Sequence, residues 1–491
     1  MMERKAQELY SAGQVRELER RVIEAGTPGY ELMCRAAAAA AVALKQRWPA
    51  AVRYVVVCGG GNNGGDGYEI ARVLRRAGAS VEVWQVGASA STGDAVTAHA
   101  GWLADGGEIR DWQPGAALAA SGDVVIDALF GIGLSRDLGD PYRAAVEAIN
   151  AAHAAGAGVL AVDIPSGLHA DTGTVLGDAV VADLTVTFIA AKAGLYVGGA
   201  ADHVGTLVLD DLGIEAAPSG DSVRLLDRSD LRTFYPRRRR GAHKGDNGHV
   251  LLIGGDHGMA GAILIAARAA LRAGAGLVSV ATRATHAALL TAAQPEVMFH
   301  GVETDAELRA LMTRADVVAV GPGLGQGPWG WIGTGLAWSS PKPVVADADA
   351  LNLLVKKPER RDNWVLTPHP GEAARLLGTD TEAVQTNRIA AALALHARYG
   401  GVAVLKGPGT IISGSRLQVC PYGNPGMGVG GMGDALTGII AAGIAQGLSP
   451  EDAAIAGVLV HALAGDAAAA DGERGLLPSD LISAIRKVVN P

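Results

Sequence analysis

The sequence predicts an α/β protein built from two domains that each contain a parallel sheet. Short runs of apolar and β-branched residues alternate with helix-length segments along the chain, which is the pattern of a parallel sheet covered by helices. One polar stretch at residues 213–222 interrupts this alternation, which then begins again. The length of 491 residues, 49% of them hydrophobic and 19% charged, is sufficient for more than one globular core.

The first half opens with an alanine-rich helix around residues 36–41, which charged residues flank. Five predicted strands follow it: YVVVC (54–58), VEVWQV (81–86), DVVIDA (123–128), GVLAVD (158–163) and LTVTF (184–188). Helix-length segments, among them residues 68–77 and 142–155, separate these strands. Because helical crossovers join strands that run in the same direction, we expect one parallel sheet here.

The stretch GIEAAPSGDS (213–222) combines Pro, Gly and polar residues without periodicity, and it marks the predicted domain boundary. It divides the chain into a domain of residues 1–217 and a domain of residues 222–491. The second domain has a long predicted helix at residues 260–273. Its predicted strands are GHVLLIGG (248–255), LVSVAT (277–282), DVVAVGPG (316–323), PVVADAD (343–349), WVLTP (364–368) and VAVLKG (402–407).

Charge and cysteine content exclude several classes of partner. The net charge of −8 disfavours nucleic acid, and the basic run RRRR (237–240) is read either as a solvated surface or as a patch that steers anionic ligands. The three cysteines predict neither a disulfide framework nor a zinc site, because they share no CxxC spacing. The first 21 residues are too charged for a signal peptide, and the longest charge-free apolar segment, residues 435–450, is too short for a bilayer. We therefore expect a cytoplasmic protein with no membrane partner.

A glycine-rich segment follows the first strand in VVVCGGGNNGGDG (55–67). Its spacing Gly59-x-Gly61-x-x-Gly64 satisfies the dinucleotide-binding fingerprint, but glycine is frequent in this chain, at 68 of 491 residues. The acid that the fingerprint requires about 20 residues later would be Glu82, which lies near the start of its strand and away from a ribose. The Asn and Asp side chains within the loop also argue against a simple cofactor-binding turn.

Three polar segments are predicted at carboxyl ends of parallel strands, where ligands of open α/β sheets bind. They are NNGGD after the first strand, Asp127 and Asp163. A single buried Asp is equally well a structural hydrogen-bonding group or a helix cap, but three such segments at one edge favour a site. The oxygens of Asn63, Asp127 and Ser166 suit a hard cation such as K⁺, Na⁺ or Mg²⁺. The loop FGIGLSRD (130–137) adds backbone N–H groups that can hold phosphate.

The segments GGGNNGGDG, DALFGIGL and VDIPSG, in this order, resemble the NAD(P)H-hydrate epimerase family over nearly all of residues 1–215. The resemblance implies a Rossmann-like parallel-sheet domain with a K⁺ ion held by Asn63, Asp127 and Ser166. It implies that the hydrated dinucleotide is bound by Asn62, Asn63, Gly64, Gly65, Asp66, Gly131, Ile132, Gly133, Leu134, Ser135, Arg136, Asp137 and Asp163. We expect Asp127 to be the acid–base group at the hydrated ring carbon, as the acid nearest the mouth of the crevice.

The second half carries an anion-binding pattern in NPGMGVGGMGDALTGIIAAGIA, which begins at Asn424. A glycine-rich turn leads into an apolar helix with Asp434 near its start, and backbone N–H groups at a helix N-terminus bind phosphate. Asp434 alone is equally well a helix cap. An acid beside an anion hole is, however, also what phosphoryl transfer requires, because a base must take the proton of the attacking hydroxyl.

Two further turns are predicted at strand ends in this domain. KGPGT (406–410) follows the strand VAVLK and places Lys406 at its end, and TPHPGE follows WVL and offers Glu372 for a metal–water shell. His369 alone is more often structural than catalytic. GPGLG (321–325) is a turn that permits a close backbone approach.

GGMGD resembles the G-x-G-D anion-hole motif of the ribokinase-like superfamily, and TPHPGE resembles its TPNxxE segment with His369 in place of the usual Asn, which disfavours a thiazole- or pyrimidine-type kinase. Together with AHKGDNGHVLLIGG, MAGA, GPGLG, DADALN and KGPGT, these segments resemble the NAD(P)H-hydrate dehydratase family over about residues 225–490. The resemblance implies a ribokinase-like α/β domain. It implies an adenine nucleotide at Lys406, Gly407, Pro408, Gly409, Thr410 and Gly433, and a hydrate pocket lined by Ala262, Gly323, His369 and Asp434.

The two resemblances imply one bifunctional repair enzyme for hydrated NADH and NADPH. The first domain would interconvert the R and S hydrates at C6, and the second would dehydrate the S hydrate while ADP becomes AMP and phosphate. Asp434 would be the base, Mg²⁺ would bind the phosphates, and the chain would form a homo-oligomer. Two rival hypotheses remain: a ribokinase-like vitamin-precursor kinase with an accessory binding domain, and a first domain that only binds a partner protein.

Overall fold

The computed structural model describes residues 8–89, 93–116, 118–216 and 222–491. The chain divides into two compact units, Met1–Arg224 and Leu225–Pro491. The boundary that the sequence predicts at residues 213–222 falls in large part on residues 217–221, which lie outside the described residues, as do residues 1–7 of the charged opening stretch.

The first unit alternates strands and helices from β2 onward. Its strands are β1 (Glu8–Leu9), β2 (Arg53–Cys58), β3 (Ser80–Gln85), β4 (Ile109–Asp111), β5 (Val124–Ala128), β6 (Gly158–Val162), β7 (Leu184–Phe188) and β8 (Thr206–Asp210), and β9 (Val223–Leu225) lies where the units divide. Its helices are α1 (Ala12–Glu24), α2 (Gly29–Arg47), α3 (Asn62–Arg76), α4 (Asp94–Ala104), α5 (Tyr142–Ala154) and α6 (Ala200–His203). The five strands predicted from the sequence correspond to β2, β3, β5, β6 and β7.

The sheet of the first unit has the order β4-β3-β2-β5-β6-β7-β8, and its neighbouring strands are parallel. The chain moves outward from β2 to β4 and then returns to place β5 on the other side of β2. The crevice between the carboxyl ends of β2 and β5 is therefore the topological switch point, where open α/β sheets bind ligands. The resulting α/β class with parallel sheets is the one that the sequence predicts.

Helix α3 begins earlier than the sequence predicts, at Asn62 rather than near Tyr68. The NNGGD segment is therefore the first turn of a helix and not a loop. A Cβ on Gly64 would lie 2.0 Å from the carbonyl oxygen of Gly59, and a Cβ on Gly67 would lie 2.6 Å from the Ala128 Cβ. The composition predicts turn residues, but these glycines instead let a helix start against the ends of β2 and β5.

The second unit contains a larger sheet. Its strands are β10 (His249–Ile253), β11 (Leu277–Thr282), β12 (Met298–Gly301), β13 (Val317–Val320), β14 (Val344–Ala346), β15 (Trp364–Leu366), β16 (Val402–Leu405), β17 (Thr410–Ser413) and β18 (Leu417–Cys420). Its helices are α7 (Leu231–Phe234), α8 (Ala260–Arg272), α9 (Ala284–Ala293), α10 (Asp305–Arg314), α11 (Pro328–Ser339), α12 (Ala348–Lys356), α13 (Pro370–Leu377), α14 (Thr381–Thr386), α15 (Arg388–Tyr399), α16 (Met432–Ala445), α17 (Pro450–Ala468) and α18 (Pro478–Val488).

In this sheet β12, β11, β10, β13, β14, β15 and β16 are adjacent in that order and parallel, and β17 and β18 continue it in antiparallel fashion. The sequence predicts six of the parallel strands. It misses β12, β17 and β18, because their segments MFHG, TIIS and LQVC mix polar and apolar residues and lack the continuous apolar run of the predicted strands.

Helices α16 and α17 are the apolar centre of the second unit. Residues Pro450–Asp471 are long and apolar enough to cross a membrane by length and composition, but 61% of their most apolar window is buried inside the protein. Ile455, Leu459 and Leu463 of α17 pack with Ile439 and Ile440 of α16 in one hydrophobic core. The helix therefore has the burial of a core helix, and the charges at its ends keep it from standing out in the sequence as a charge-free apolar segment.

Candidate functional site

Each unit has a candidate site at the carboxyl ends of its parallel strands. In the first unit Asn63 lies in the first turn of α3, Asp127 in β5, and Asp163 directly after β6. The register of the sheet sets Asp127 opposite Val57 of β2 and Ala161 of β6. The topology thus brings the predicted polar groups to one edge of the sheet.

Asp127 is entirely buried, and backbone and hydroxyl donors surround its carboxylate. Its Oδ2 accepts the backbone N–H of Ser166 at 2.8 Å, and its Oδ1 accepts the Ser166 hydroxyl at 2.6 Å and the backbone N–H of Leu129 at 3.2 Å. Burial raises the pKa of Asp127 to about 6, although the bonds from Ser166 oppose this shift. The expectation that Asp127 is the acid nearest the mouth of the crevice is wrong, because no part of the residue reaches solvent.

Asp163 is the more accessible acid of this site and has an uncommon backbone conformation. Its φ of 66° lies in the left-handed region, which non-glycine residues seldom adopt. Its Oδ1 accepts the ammonium of Lys192, the Thr187 hydroxyl at 3.1 Å and the backbone N–H of Phe188 at 3.3 Å. Among the described residues, no donor bonds to Oδ2.

Asn63 and Asp163 face the same glycine of the predicted substrate loop. A Cβ on Gly131 would lie 3.3 Å from the Asn63 Oδ1 and 3.4 Å from the Asp163 Oδ2. The Asn63 Nδ2 is buried and has no hydrogen-bond partner in the described part of the chain. A buried amide donor without a partner costs stability, which makes the Asn63 side chain a candidate for contact with a ligand.

The loop that follows β5 is anchored at its start and exposed further on. The Ser166 hydroxyl accepts the Phe130 backbone N–H at 2.9 Å, and Arg16 of α1 donates to the Ile132 carbonyl at 2.9 Å. Leu134 packs on the hydrophobic core, which holds the middle of the loop. The predicted substrate residues that remain exposed in this unit are Asn62, Gly133, Ser135, Arg136 and Asp137.

Three carboxyl groups and one ammonium group share this crevice. Burial and the neighbouring carboxylates of Asp163 and Glu19 raise the pKa of Asp66 well above its usual range. Burial and the charge of Asp163 likewise raise the pKa of Glu19, whereas the Lys192 charge lowers it. The sequence reasoning missed Glu19 and Lys192, because neither belongs to a glycine-rich segment or follows a strand directly.

The residues predicted to hold a cation in the first unit fit a monovalent ion. The buried carboxylate of Asp127 has no basic side chain in contact among the described residues, so its charge is not compensated. No group of three or more His, Cys, Asp or Glu in the described ranges is arranged to hold a metal ion. One carboxylate with hydroxyl and amide oxygens suits a weakly charged, hard cation better than a transition metal.

In the second unit the structure brings Lys406 against a residue that the sequence reasoning did not select. Asp347 lies directly after β14, and its Oδ1 accepts the Lys406 ammonium at 2.8 Å. Its Oδ2 accepts the Thr437 hydroxyl of α16 at 2.9 Å. Asp347 is 1% exposed, and the Lys406 charge holds its pKa below the usual range despite burial. Asp347 therefore ties the predicted nucleotide loop to the glycine-rich helix.

Asp434 occupies the first turn of α16, as the sequence predicts for an acid beside an anion hole. Gly431, which precedes the helix, has a φ of 95°, and a Cβ on Gly433 would lie 3.0 Å from the Lys406 Nζ. No hydrogen-bond donor in the described residues engages the Asp434 carboxylate. Burial, followed by the charge of Asp347, raises the pKa of Asp434 to about 7. This carboxylate is therefore poised to exchange a proton near neutral pH.

His369 caps helix α13 and also faces the site. Its Nδ1 accepts the backbone N–H groups of Gly371 at 3.0 Å and Glu372 at 3.4 Å, and Glu372 in turn accepts the His369 backbone N–H at 2.8 Å. The imidazole thus caps the helix at the position where the motif it resembles has Asn. Partial burial and the charge of Lys406 lower the pKa of His369, which favours the neutral ring that capping requires.

The KGPGT segment forms the turn between β16 and β17. Gly407 has a φ of 134°, and a Cβ there would lie 3.0 Å from the guanidinium of Arg388. The Arg388 Nη2 donates to the carbonyls of Leu405 at 3.4 Å and Lys406 at 3.2 Å, while its Nε is buried without a partner among the described residues. Burial lowers the pKa of Arg388 to about 10. The Thr410 hydroxyl closes the turn by donating to the Gly407 carbonyl at 2.9 Å.

The remaining predicted hydrate-binding residues also meet. Gly323 has a φ of 57°, and a Cβ there would lie 2.6 Å from the Met259 carbonyl oxygen and 3.2 Å from the Ala262 Cβ. Ala262 and Gly323 therefore pack closely, and a residue larger than glycine at position 323 would clash with Met259.

The basic run at 237–240 is exposed, and Arg238 donates to the Gly274 carbonyl and to Gln446.

Both halves of the chain match known families. Residues 29–194 match the family described as YjeF-related protein N-terminus, and residues 250–487 match NAD(P)H-hydrate dehydratase. The bifunctional NAD(P)H-hydrate repair enzyme Nnr of Coxiella burnetii is 47% identical over 98% of this chain and 99% of its own length. The enzyme of the same name from Escherichia coli is 44% identical over 98% of this chain and 94% of its own length.

A solved structure resembles the second unit. A ribokinase-like superfamily protein from Enterococcus faecalis covers 56% of this chain and 98% of its own length, at 29% identity and a TM-score of 0.51. This likeness confirms the ribokinase-like α/β fold that the sequence predicts for the second half.

Proposed function

The chain belongs to the family of bifunctional NAD(P)H-hydrate repair enzymes, and on that premise we propose how its two sites divide the repair. The first unit epimerises the R and S hydrates at C6, and the second dehydrates the S hydrate to NAD(P)H. The observation that carries this assignment is that one chain, which matches its relatives along nearly its whole length, has both strand-end sites. The acids Asp127 and Asp163 are present in the first site, and Asp434 is present in the second.

We propose that proton transfer in the first unit involves Asp163 and Asp66 rather than Asp127. Asp66, whose pKa is raised by burial and by the neighbouring carboxylates, gives its proton to the C6 hydroxyl, and the C6–O bond breaks as water leaves. The ring nitrogen lone pair forms a C6=N bond in the same step. Water then adds to the other face of C6 and loses its proton to the open Oδ2 of Asp163. Asp163 then releases its proton to solvent, and solvent returns one proton to Asp66, so no atom is gained or lost overall.

The cation site of the first unit is proposed as K⁺ held by Asn63, Asp127 and Ser166. A bound cation would neutralise the buried Asp127 carboxylate and draw the adjacent loop toward the crevice. The protein groups do the rest of the binding: the first turn of α3 offers backbone N–H groups to the dinucleotide phosphates, and Gly131 leaves room for the ring.

We propose that the second unit uses Asp434 as a general base for phosphoryl transfer from ADP. Asp434 takes the proton of the C6 hydroxyl, whose oxygen attacks the terminal phosphorus as the bond to AMP breaks. Phosphate then leaves C6 while C5 loses a proton, which restores the ring double bond. Lys406, Gly407, Pro408, Gly409, Thr410 and Gly433 would bind the nucleotide, and Ala262, Gly323 and His369 would hold the hydrate.

Mg²⁺ is proposed on the ADP phosphates, with Glu372 in its water shell. The residues fit this ion, because Glu372 and Asp347 supply hard oxygen atoms beside Lys406. When bound, the metal would offset the negative charge that develops on the transferred group.

A reducing cytoplasm is the proposed location, in keeping with three free cysteines, and a homo-oligomer is the proposed assembly.

The proposal is tested with a mixture of R and S hydrates, ADP and Mg²⁺, by following the return of the reduced-nicotinamide absorbance. The full chain should recover all of the NADH. Asp163→Asn should convert only the S hydrate quickly and leave the R hydrate to slow spontaneous epimerisation. If Asp163→Asn clears both epimers at the normal rate, the assignment of the first unit fails.

The same assay separates the rival functions. A vitamin-precursor kinase would accumulate a stable phosphorylated product and release no phosphate. A first unit that only binds a partner protein would leave R and S consumption unchanged when Asp163 is replaced by Asn, whereas the epimerase assignment requires the R hydrate to persist.

A further inference from the structure

Lys192 contacts the proposed base of the first unit from a position that no ligand can reach. It lies after β7, and its side chain is 1% exposed, whereas that of Asp163 is 14% exposed. Its ammonium donates to the Asp163 Oδ1, to the Thr187 hydroxyl at 2.9 Å and to the Phe188 carbonyl at 2.9 Å. All three N–H donors of the ammonium are therefore used, and none is left for a substrate.

These contacts select one oxygen of Asp163. Lys192, Thr187 and the Phe188 backbone N–H all bond to Oδ1, so the carboxylate cannot rotate without losing three bonds at once. Oδ2 is left on the side of Gly131, where the substrate loop passes. Asp163 also has a left-handed backbone, a costly conformation that clusters at functional sites.

The segment that carries Lys192 is itself held in register. The backbone N–H of Tyr10 donates to the Ala191 carbonyl at 2.8 Å, and the backbone N–H of Ala193 donates to the Tyr10 carbonyl at 3.1 Å. Hydrogen bonds on both sides thus fix the backbone of Lys192. Such bracketing is what a residue needs if it is to hold a catalytic group in place.

The positive charge of Lys192 also offsets the negative charges of the nearby carboxylates. Asp66, Glu19 and Asp163 are near enough for their charges to affect one another, and the charge of Lys192 opposes that repulsion at Asp66 and Glu19. A buried lysine without a partner would be costly, but one that compensates a carboxylate cluster is stabilised by it.

We propose that Lys192 is a positioning residue for epimerisation, which holds the Asp163 side chain with Oδ2 directed at the hydrated ring. This inference rests on the proposed role of Asp163. It predicts that Lys192 affects turnover and not substrate binding, because it touches Asp163 but not the substrate.

The test is a double-mutant cycle in the full chain, with epimerisation of the R hydrate as the readout. Lys192→Met should lower kcat about 100-fold, the cost of misplacing a reacting group, and leave KM within about threefold. Asp163→Asn should lower kcat about 1000-fold. The double variant should be no slower than Asp163→Asn alone, because Lys192 then has no carboxylate to hold. Independent, multiplying losses in the double variant would overturn the proposal, as would a loss confined to KM.

Controls separate this inference from folding and from the proposed function. Lys45→Met removes an exposed lysine from α2 of the same unit and should leave kcat unchanged. Lys192→Arg keeps the charge and should regain at least about tenfold of the kcat that Lys192→Met loses. A folded Lys192→Arg that is as slow as Lys192→Met would overturn the role of the charge.

Two outcomes remain to be distinguished. If Lys192→Met unfolds the first unit in a thermal melt, the same cycle is run with Lys192→Gln, whose amide is better tolerated in a polar pocket. A kcat loss that vanishes in the Asp163→Asn background supports the proposal, and one that persists overturns it. If Asp163→Asn itself epimerises at the normal rate, the proposed site has failed, whatever Lys192 does.

Discussion

The acid that the sequence favours most for catalysis has opposite surroundings in the two units. Asp127 of the first unit is fully buried, and three N–H or O–H donors occupy its carboxylate. Asp434 of the second unit is partly exposed in the first turn of α16 and has no hydrogen-bond partner among the described residues. Burial raises the pKa of both carboxyl groups, to about 6 and about 7.

The difference distinguishes an acid that suits binding a cation and anchoring a loop from an acid that suits proton transfer. A carboxylate whose lone pairs already accept three bonds must break them before it can serve as a base, whereas an unpartnered carboxylate can accept a proton at once. Asp127 therefore suits cation binding and loop anchoring, and Asp434 suits catalysis. In the first unit the proposed proton acceptor is Asp163, because no donor among the described residues bonds to its Oδ2.

The largest effect that this comparison predicts is the loss of dehydration in Asp434→Asn. Without the base, dehydration of the S hydrate with ADP should fall by about 100- to 10,000-fold, the range that general-base catalysis contributes. Epimerisation should continue at the normal rate, because the acid lies in the other unit. NADH recovery and epimer ratios measured on one sample test both statements.

The matched control for Asp434→Asn is Asp305→Asn. Asp305 is also an acid in the first turn of a helix, α10, but it is exposed and outside both sites. Asp305→Asn should leave dehydration unchanged. A comparable loss in both variants would mean that helix-end charge, and not a base, explains the effect.

The next effect concerns stability. Lys406→Met leaves the buried Asp347 carboxylate without its ion-pair partner, and this should destabilise the second unit by about 3–5 kcal/mol. The Lys406→Met/Asp347→Asn double variant should recover most of that loss while dehydration stays absent. Chemical denaturation of the wild type, the Lys406→Met variant and the double variant measures the free energy of unfolding of each. Equal destabilisation of the single and double variants would show that packing, and not the buried charge, is responsible.

A smaller effect appears in the pH dependence of dehydration. The pKa of Asp434 is raised to about 7, and a base must be deprotonated to act. Below pH 7 the turnover number should therefore fall about tenfold for each pH unit, and above pH 7 it should level off. An inflection that stays in place in a slow but active Asp434→Glu variant with a shifted pKa would argue that another group is titrating.

The sequence predicts the parts of each site that follow a strand. Strands β5 and β6 are buried apolar runs with an acid at or directly after their carboxyl ends, so the alternation of strands and helices is enough to place Asp127 and Asp163 at one sheet edge. The start of α3 is not predictable in the same way, because glycines that permit close packing have the same composition as glycines that make a turn.

Contacts between distant residues are also beyond the sequence. Lys406 and Asp347 are 59 residues apart, and Lys192 and Asp163 are 29 apart. Neither pair belongs to one periodic element, so no local pattern marks them. Sequence patterns therefore predict which strand ends meet, but not which oxygen of each acid is left open.

The smallest predicted effect tests the holding role of Asp127 directly. Replacing N-methylglucamine with K⁺ at constant ionic strength should raise the melting temperature of the first unit by about 3–6 °C, since a ligand at about ten times its Kd adds about 1.4 kcal/mol. Asp127→Ala should abolish this shift, and Asp111→Asn, an exposed acid of β4, should keep it. The second unit should melt at the same temperature in both salts. If K⁺ still raises the melting temperature of Asp127→Ala, the cation binds elsewhere. Asp127 would then again be a candidate for proton transfer.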